Sequence, residues 1–62
     1  MEIFIVNGNW DYEGSEIVGV FSSAASAQAK VADDQLTNGE EIQGEWYPRF
    51  DSYSIVIEEV KA

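Results

Sequence analysis

Glu2-Ile3-Phe4-Ile5-Val6-Asn7 is the stretch on which the fold turns. It is rich in β-branched and aromatic residues, which suit a pleated and packed backbone, and it runs into the turn-forming Asn7-Gly8-Asn9. In a strand, Ile3 and Ile5 point to one side and Phe4 and Val6 to the other. Apolar residues on both sides favour a central place in a sheet over an edge.

Working outward, Gly8-Asn9-Trp10-Asp11-Tyr12-Glu13-Gly14-Ser15 is bounded by glycines and too polar for a core, and Glu16-Ile17-Val18-Gly19-Val20-Phe21 is a second β-rich run. The two runs read as a hairpin with a long aromatic loop. Ser22-Ser23 then offers hydroxyls to the free amides of a helix spanning Ala24 to Leu36, which should stop at Asn38-Gly39. Ala25, Ala29, Ala32 and Leu36 recur at i, i+4, i+7 and i+11, so this stripe is the expected sheet-facing side. Asp33 and Asp34 fall in the last turn, where the helix dipole disfavours negative charge. Folding alone gives no reason for acids there.

Glu40 to Phe50 contains Trp46-Tyr47-Pro48, and Pro48 steers Tyr47 away from helix, so this segment is expected to be an extended or looped connection. Ser52 to Val60 alternates, with Tyr53, Ile55 and Ile57 on one side, and forms the third strand. The expected fold class is α+β, a single small domain over residues 1–62 in the order β-β-α-β. A right-handed crossover through the helix makes the third strand antiparallel to the first. The resulting three-stranded antiparallel sheet has the order 2-1-3, with the helix on one face and the other face open.

Composition narrows function more than fold. The 62 residues are 45% apolar, which suffices for a folded domain, yet 12 acids stand against three bases for a net charge of -9. Phosphates and anionic headgroups are attracted by basic patches, so direct nucleic-acid or membrane binding is not expected. The longest apolar run is Ile3 to Val6, too short for a membrane span, and Met1-Glu2 lacks the positive start of a signal peptide. The expected location is the cytoplasm.

There is no His and no Cys, so serine nucleophiles lack a partner base and thiolate chemistry is absent. Adjacent Glu58 and Glu59 on a strand point to opposite faces and make no catalytic pair. An enzyme is therefore not expected, nor a cofactor. Asp11, Glu13 and Glu16 around Gly14 are hard oxygen donors of the kind Ca²⁺ accepts, but they lack the spacing of a calcium loop, and the plainer reading is a solvated turn.

The positive signal is aromatic residues among acids: Trp10-Asp11-Tyr12-Glu13, then Glu45-Trp46-Tyr47, flanked by Asp33-Asp34 and Glu40-Glu41. Trp and Tyr bury large rigid areas at interfaces, and acids around them pair with Lys or Arg across the contact. These residues are the expected partner-binding set, the partner being a protein with a basic surface. The competing reading places Trp10 and Tyr12 in the core and assigns the acids to solubility.

At Trp10-Asp11-Tyr12-Glu13-Gly14-Ser15, at Val18-Gly19-Val20-Phe21-Ser22-Ser23 and at Phe50-Asp51-Ser52-Tyr53-Ser54-Ile55, the chain resembles a small uncharacterised domain family of bacteria and phages. The resemblance implies a fold rather than an activity. Size, acidity and resemblance together are similar to those of phage accessory proteins. The leading expectation is a host-cytoplasmic inhibitor of a CRISPR, restriction or transcription component, occupying its basic surface and imitating DNA. The alternatives are a self-associating module, including a homodimer through an edge or the open face of the sheet, and a Ca²⁺-responsive module.

Overall fold

A computed structural model describes residues 1–61. Six elements follow in order: β1 (Glu2–Trp10), β2 (Gly14–Phe21), α1 (Ala24–Thr37), β3 (Gly39–Ile42), β4 (Glu45–Pro48) and β5 (Ser52–Glu59). β2, β1 and β5 form an antiparallel sheet in that order, so the strand with apolar residues on both sides lies in the middle. The α+β architecture and the order of the three main strands agree with the sequence reading.

Pairing defines the two faces. Phe4 lies between Phe21 and Ile57, and Val6 between Gly19 and Ile55, on the face that receives the helix. Val6 and Ala27 are fully buried there, and Phe50 nearly so. Ile5 lies between Val20 and Val56 on the opposite face, which no other element covers among the described residues. The β1–β2 register shifts between Val6 and Asn7, leaving Val18 as the extra residue of a bulge.

Three expectations are corrected. β1 does not end at Asn7-Gly8-Asn9 but continues to Trp10, and the turn is Asp11 to Glu13. Gly8 serves close packing instead of a turn, because the Phe50 ring lies directly against its backbone. The Glu40–Phe50 connection contains a second, two-stranded sheet made of β3 and β4. Its turn is Gln43-Gly44, with φ of 52° and 83°, the paired positive values that match the twist of a tight hairpin.

The helix begins and ends as its caps dictate. Ser23 Oγ accepts from the Ser26 amide at 3.2 Å, and Asn38 caps the other end with its amide on the Asp34 carbonyl at 2.9 Å. The buried side, however, is Ala27 and Asp34, with Lys30 and Val31 half-buried between them. Ala25, Ala29, Ala32 and Leu36 all face solvent, Leu36 being 77% exposed. The alanines at 24, 25, 27, 29 and 32 spread over more than half of the helix circumference, and each buried methyl contributes only about 0.8 kcal/mol, so they fix no rotation. Asp34 fixes it, because its carboxylate receives the Tyr53 hydroxyl and lies 3.4 Å from the Asn38 amide nitrogen.

Candidate functional site

The β3–β4 hairpin collects five of the expected binding residues. Its register sets Glu40 opposite Tyr47, Glu41 opposite Trp46, Ile42 opposite Glu45 and Gly39 opposite Pro48. Glu41 and Trp46 share one face, and there the Trp46 indole N–H donates to the Gln35 carbonyl at 2.7 Å, tying the hairpin to the end of α1. Gly39 is required at the root, since a Cβ would collide with the Tyr47 carbonyl.

The other face carries Glu40, Ile42, Glu45 and Tyr47, all exposed. The Tyr47 hydroxyl donates to Glu45 Oε2 at 2.8 Å, and this bond, with slight desolvation, raises the phenol pKa. The hydrogen bond aligns the phenol beside a carboxylate. Between the hairpin and the body lies a shallow recess of about 420 Å³ lined by Asn38, Gly39, Glu40, Tyr47, Pro48 and Arg49.

The first aromatic-acidic run is divided. Trp10 is half-buried, packs on Phe50 with ring centroids 4.9 Å apart, and donates its indole N–H to the Arg49 carbonyl at 2.8 Å. It belongs to the core cluster of Trp10, Phe50 and Tyr53, not to the free surface. The Arg49 guanidinium covers this cluster, 5.7 Å from the Trp10 ring and 5.2 Å from the Phe50 ring, and pairs with Glu16 at 3.0 Å. Asp11, Tyr12 and Glu13 are exposed at the β1–β2 turn, Tyr12 almost completely at 98%. The Asp11 amide donates to Asp51 Oδ2 at 2.9 Å, which anchors the turn.

The acidic pair on α1 is also divided. Asp33 faces solvent, whereas Asp34 is only 5% exposed and is unavailable to a partner. Lys30 Nζ lies 4.0 Å from Asp34, and the carboxylate anchors Tyr53 across the sheet-helix boundary. Burial first, then the hydrogen bond and charge of Asp34, push the Tyr53 phenol up to about 12. Asp34 is thus part of the fold, which corrects both its assignment to a binding surface and the view that folding had no use for it.

Glu16 pairs with Arg49, and among the described residues no three metal-ligating side chains gather. Sequence reasoning missed Ile42 as the apolar member of the hairpin face. The available signal was Gln43-Gly44 between two four-residue runs, weaker than Asn-Gly because Gln adopts positive φ less readily.

The whole of this arrangement, residues 1–62, matches a single family profile, described as a domain of unknown function, DUF7336. The chain belongs to that family. No curated protein and no solved structure is significantly similar to it. Among the described residues, no helix is long and apolar enough to cross a membrane.

Proposed function

We propose that this DUF7336 chain is a non-enzymatic protein-binding module whose β3–β4 hairpin engages a Lys/Arg-rich surface of another protein. The observation that carries this reading is the single exposed hairpin face holding Glu40, Glu45, Tyr47 and Ile42. Two carboxylates supply attraction and orientation, while a phenol and an isoleucine supply area to bury. Glu41 at the rim, and Asp11 and Glu13 beside the exposed Tyr12 of the β1–β2 turn, add to the negative field.

The finer proposal is a phage protein, acting in the host cytoplasm, that blocks a nucleic-acid-handling protein such as a CRISPR, restriction or transcription component. A net charge of -9 repels nucleic acid itself and attracts the surfaces that hold it. Glu40 and Glu45 stand diagonally on the two strands, about 6.6 Å apart along the strands and about 4.8 Å across them, so this pair of carboxylates, with the acids around it, is what would meet a surface built for phosphates.

The test is affinity capture from bacterial host lysate with wild type and a Glu40→Lys/Glu45→Lys double variant. The expected result is one nucleic-acid-binding protein retained at low salt, released by duplex DNA or high salt, and lost with the variant. Capture indifferent to salt, DNA and both reversals would refute the proposal.

A further inference from the structure

We propose that the open face of the β2-β1-β5 sheet is a homodimer interface whose occupant is a second copy of this chain. The register places Ile3, Ile5, Ile17, Val20 and Val56 on this face, with Ile17 64%, Val20 55% and Val56 41% exposed. It is also nearly uncharged. Of the 12 acids only Glu58 falls on it, opposite Ile3, and no base does. The rest of the face is Asn7, Asn9, Ser15, Ser52 and Ser54, so in a chain with a net charge of -9 it is a neutral surface, part apolar and part amide and hydroxyl, that suits a second copy of itself better than a basic partner.

The dimensions fit the same occupant. A folded monomer of this mass, 6.9 kDa, exposes roughly 4,000 Å². The chain exposes 4553 Å². The Cα radius of gyration is 13.2 Å, where a compact domain of this length has about 10.5 Å. The surplus of about 550 Å² belongs to the whole elongated molecule, 49 Å along its longest axis, and the exposed Ile17, Val20 and Val56 of the open face are part of it. The molecule is only 11 Å across its thinnest axis, and a second sheet packed about 10 Å away adds the missing layer.

The middle row of the face is self-complementary under a two-fold operation, while Ile3 of one copy lies over Asn7 of the other. Val20, Ile5 and Val56 form a row across the three strands. An axis along that row, between the copies, packs the row on itself. It also sets Glu58 of each copy over Ser54 of the other, where a hydroxyl can donate to the carboxylate. The two Glu58 carboxylates then stand about 13 Å apart along the strands and about 10 Å apart across the layers, beyond a Debye length of about 8 Å.

The experiment is light-scattering mass of wild type, Val20→Glu and Val56→Glu at about 100 µM, where mass action favours a dimer. Leu36→Glu, on the exposed side of α1, serves as control. Wild type and Leu36→Glu should weigh twice the 6.9 kDa chain, and both face variants should weigh one chain, their dissociation constants weakened on the order of a hundredfold or more by a buried unpaired carboxylate. Filtered NMR on a half-labelled wild-type sample should show contacts between the Ile5 and Val56 methyls and their counterparts in the other copy, a readout that stands even if a face variant does not fold. Dimerisation should strengthen with salt as repulsion between the copies is screened, whereas hairpin binding to a basic partner weakens, so the two proposals fail separately. A wild type that remains single up to about 1 mM, or a dimer that neither face variant weakens and that lacks these methyl contacts, overturns the proposal.

Discussion

Gly8→Ala tests the packing logic of the core. Gly8 sits in the middle of β1, paired with Glu16 and Tyr53, and a Cβ there would overlap Cγ, Cδ1 and Cδ2 of the Phe50 ring. To restore contact at about 3.5–4.0 Å the ring must retreat by about 1–1.5 Å. Phe50 has little freedom to do so, because Trp10 packs on it at 4.9 Å and Tyr53 meets it edge-on at 5.5 Å. Overpacking of this kind costs about 1–3 kcal/mol, against which alanine recovers about 0.5–1 kcal/mol of backbone entropy. A chain of 62 residues has a total stability of only about 3–9 kcal/mol. A net loss of about 1–2 kcal/mol should lower the melting temperature by about 5–15 °C.

Calorimetry and near-UV circular dichroism measure the loss, and a double-mutant cycle assigns it. Phe50→Ala removes the Cγ, Cδ1 and Cδ2 atoms that a Cβ at position 8 would strike, so Gly8→Ala should cost at least about 1 kcal/mol less in that background. Two substitutions that add to within about 0.5 kcal/mol would show that the ring is not what makes glycine necessary.

Other outcomes follow from the same contacts. Tyr53 titrates near 10 when unfolded but only near 12 when folded, so its contribution is complete below pH 10, falls as pH rises and is gone above about 12. Allowing for partial exposure, this is worth about 1–2 kcal/mol in urea titrations, and a profile above pH 10 unchanged by Tyr53→Phe would contradict it. Asp34→Ala should destabilise by about 1–3 kcal/mol by removing the acceptor of the Tyr53 hydroxyl, while Leu36→Ala should stay within about 0.5 kcal/mol; equal losses would mean the helix is rotated from its described position. Gln43→Asn should raise stability by a few tenths of a kcal/mol, because Asn adopts positive φ more readily, and a drop in melting temperature would contradict the turn geometry.

The three main strands were legible because their signals are local and redundant. Two-sided apolar character placed β1 at the centre, alternation placed Tyr53, Ile55 and Ile57 on one face, and Ser23 and Asn38 bounded the helix. The hairpin was not, since four-residue strands joined by Gln43-Gly44 carry almost no periodic signal. Of the expected binding set, Glu40, Glu41, Glu45, Trp46 and Tyr47 converge on that hairpin, and Asp11, Tyr12 and Glu13 remain together at the first turn. Trp10 and Asp34 were absorbed by the fold, through partners 39 and 19 residues away in sequence.

By itself the sequence determined the helix and the three main strands, their order in the sheet and the negative surface, because hydrophobic period, capping chemistry and charge are properties of neighbouring residues. Only the tertiary structure decided which aromatics and acids are free. An indole or carboxylate is buried when a distant carbonyl or hydroxyl satisfies its polar atom, as Arg49 does for Trp10 and Tyr53 for Asp34. Whether such a partner arrives depends on how the chain folds back, which no local spacing records.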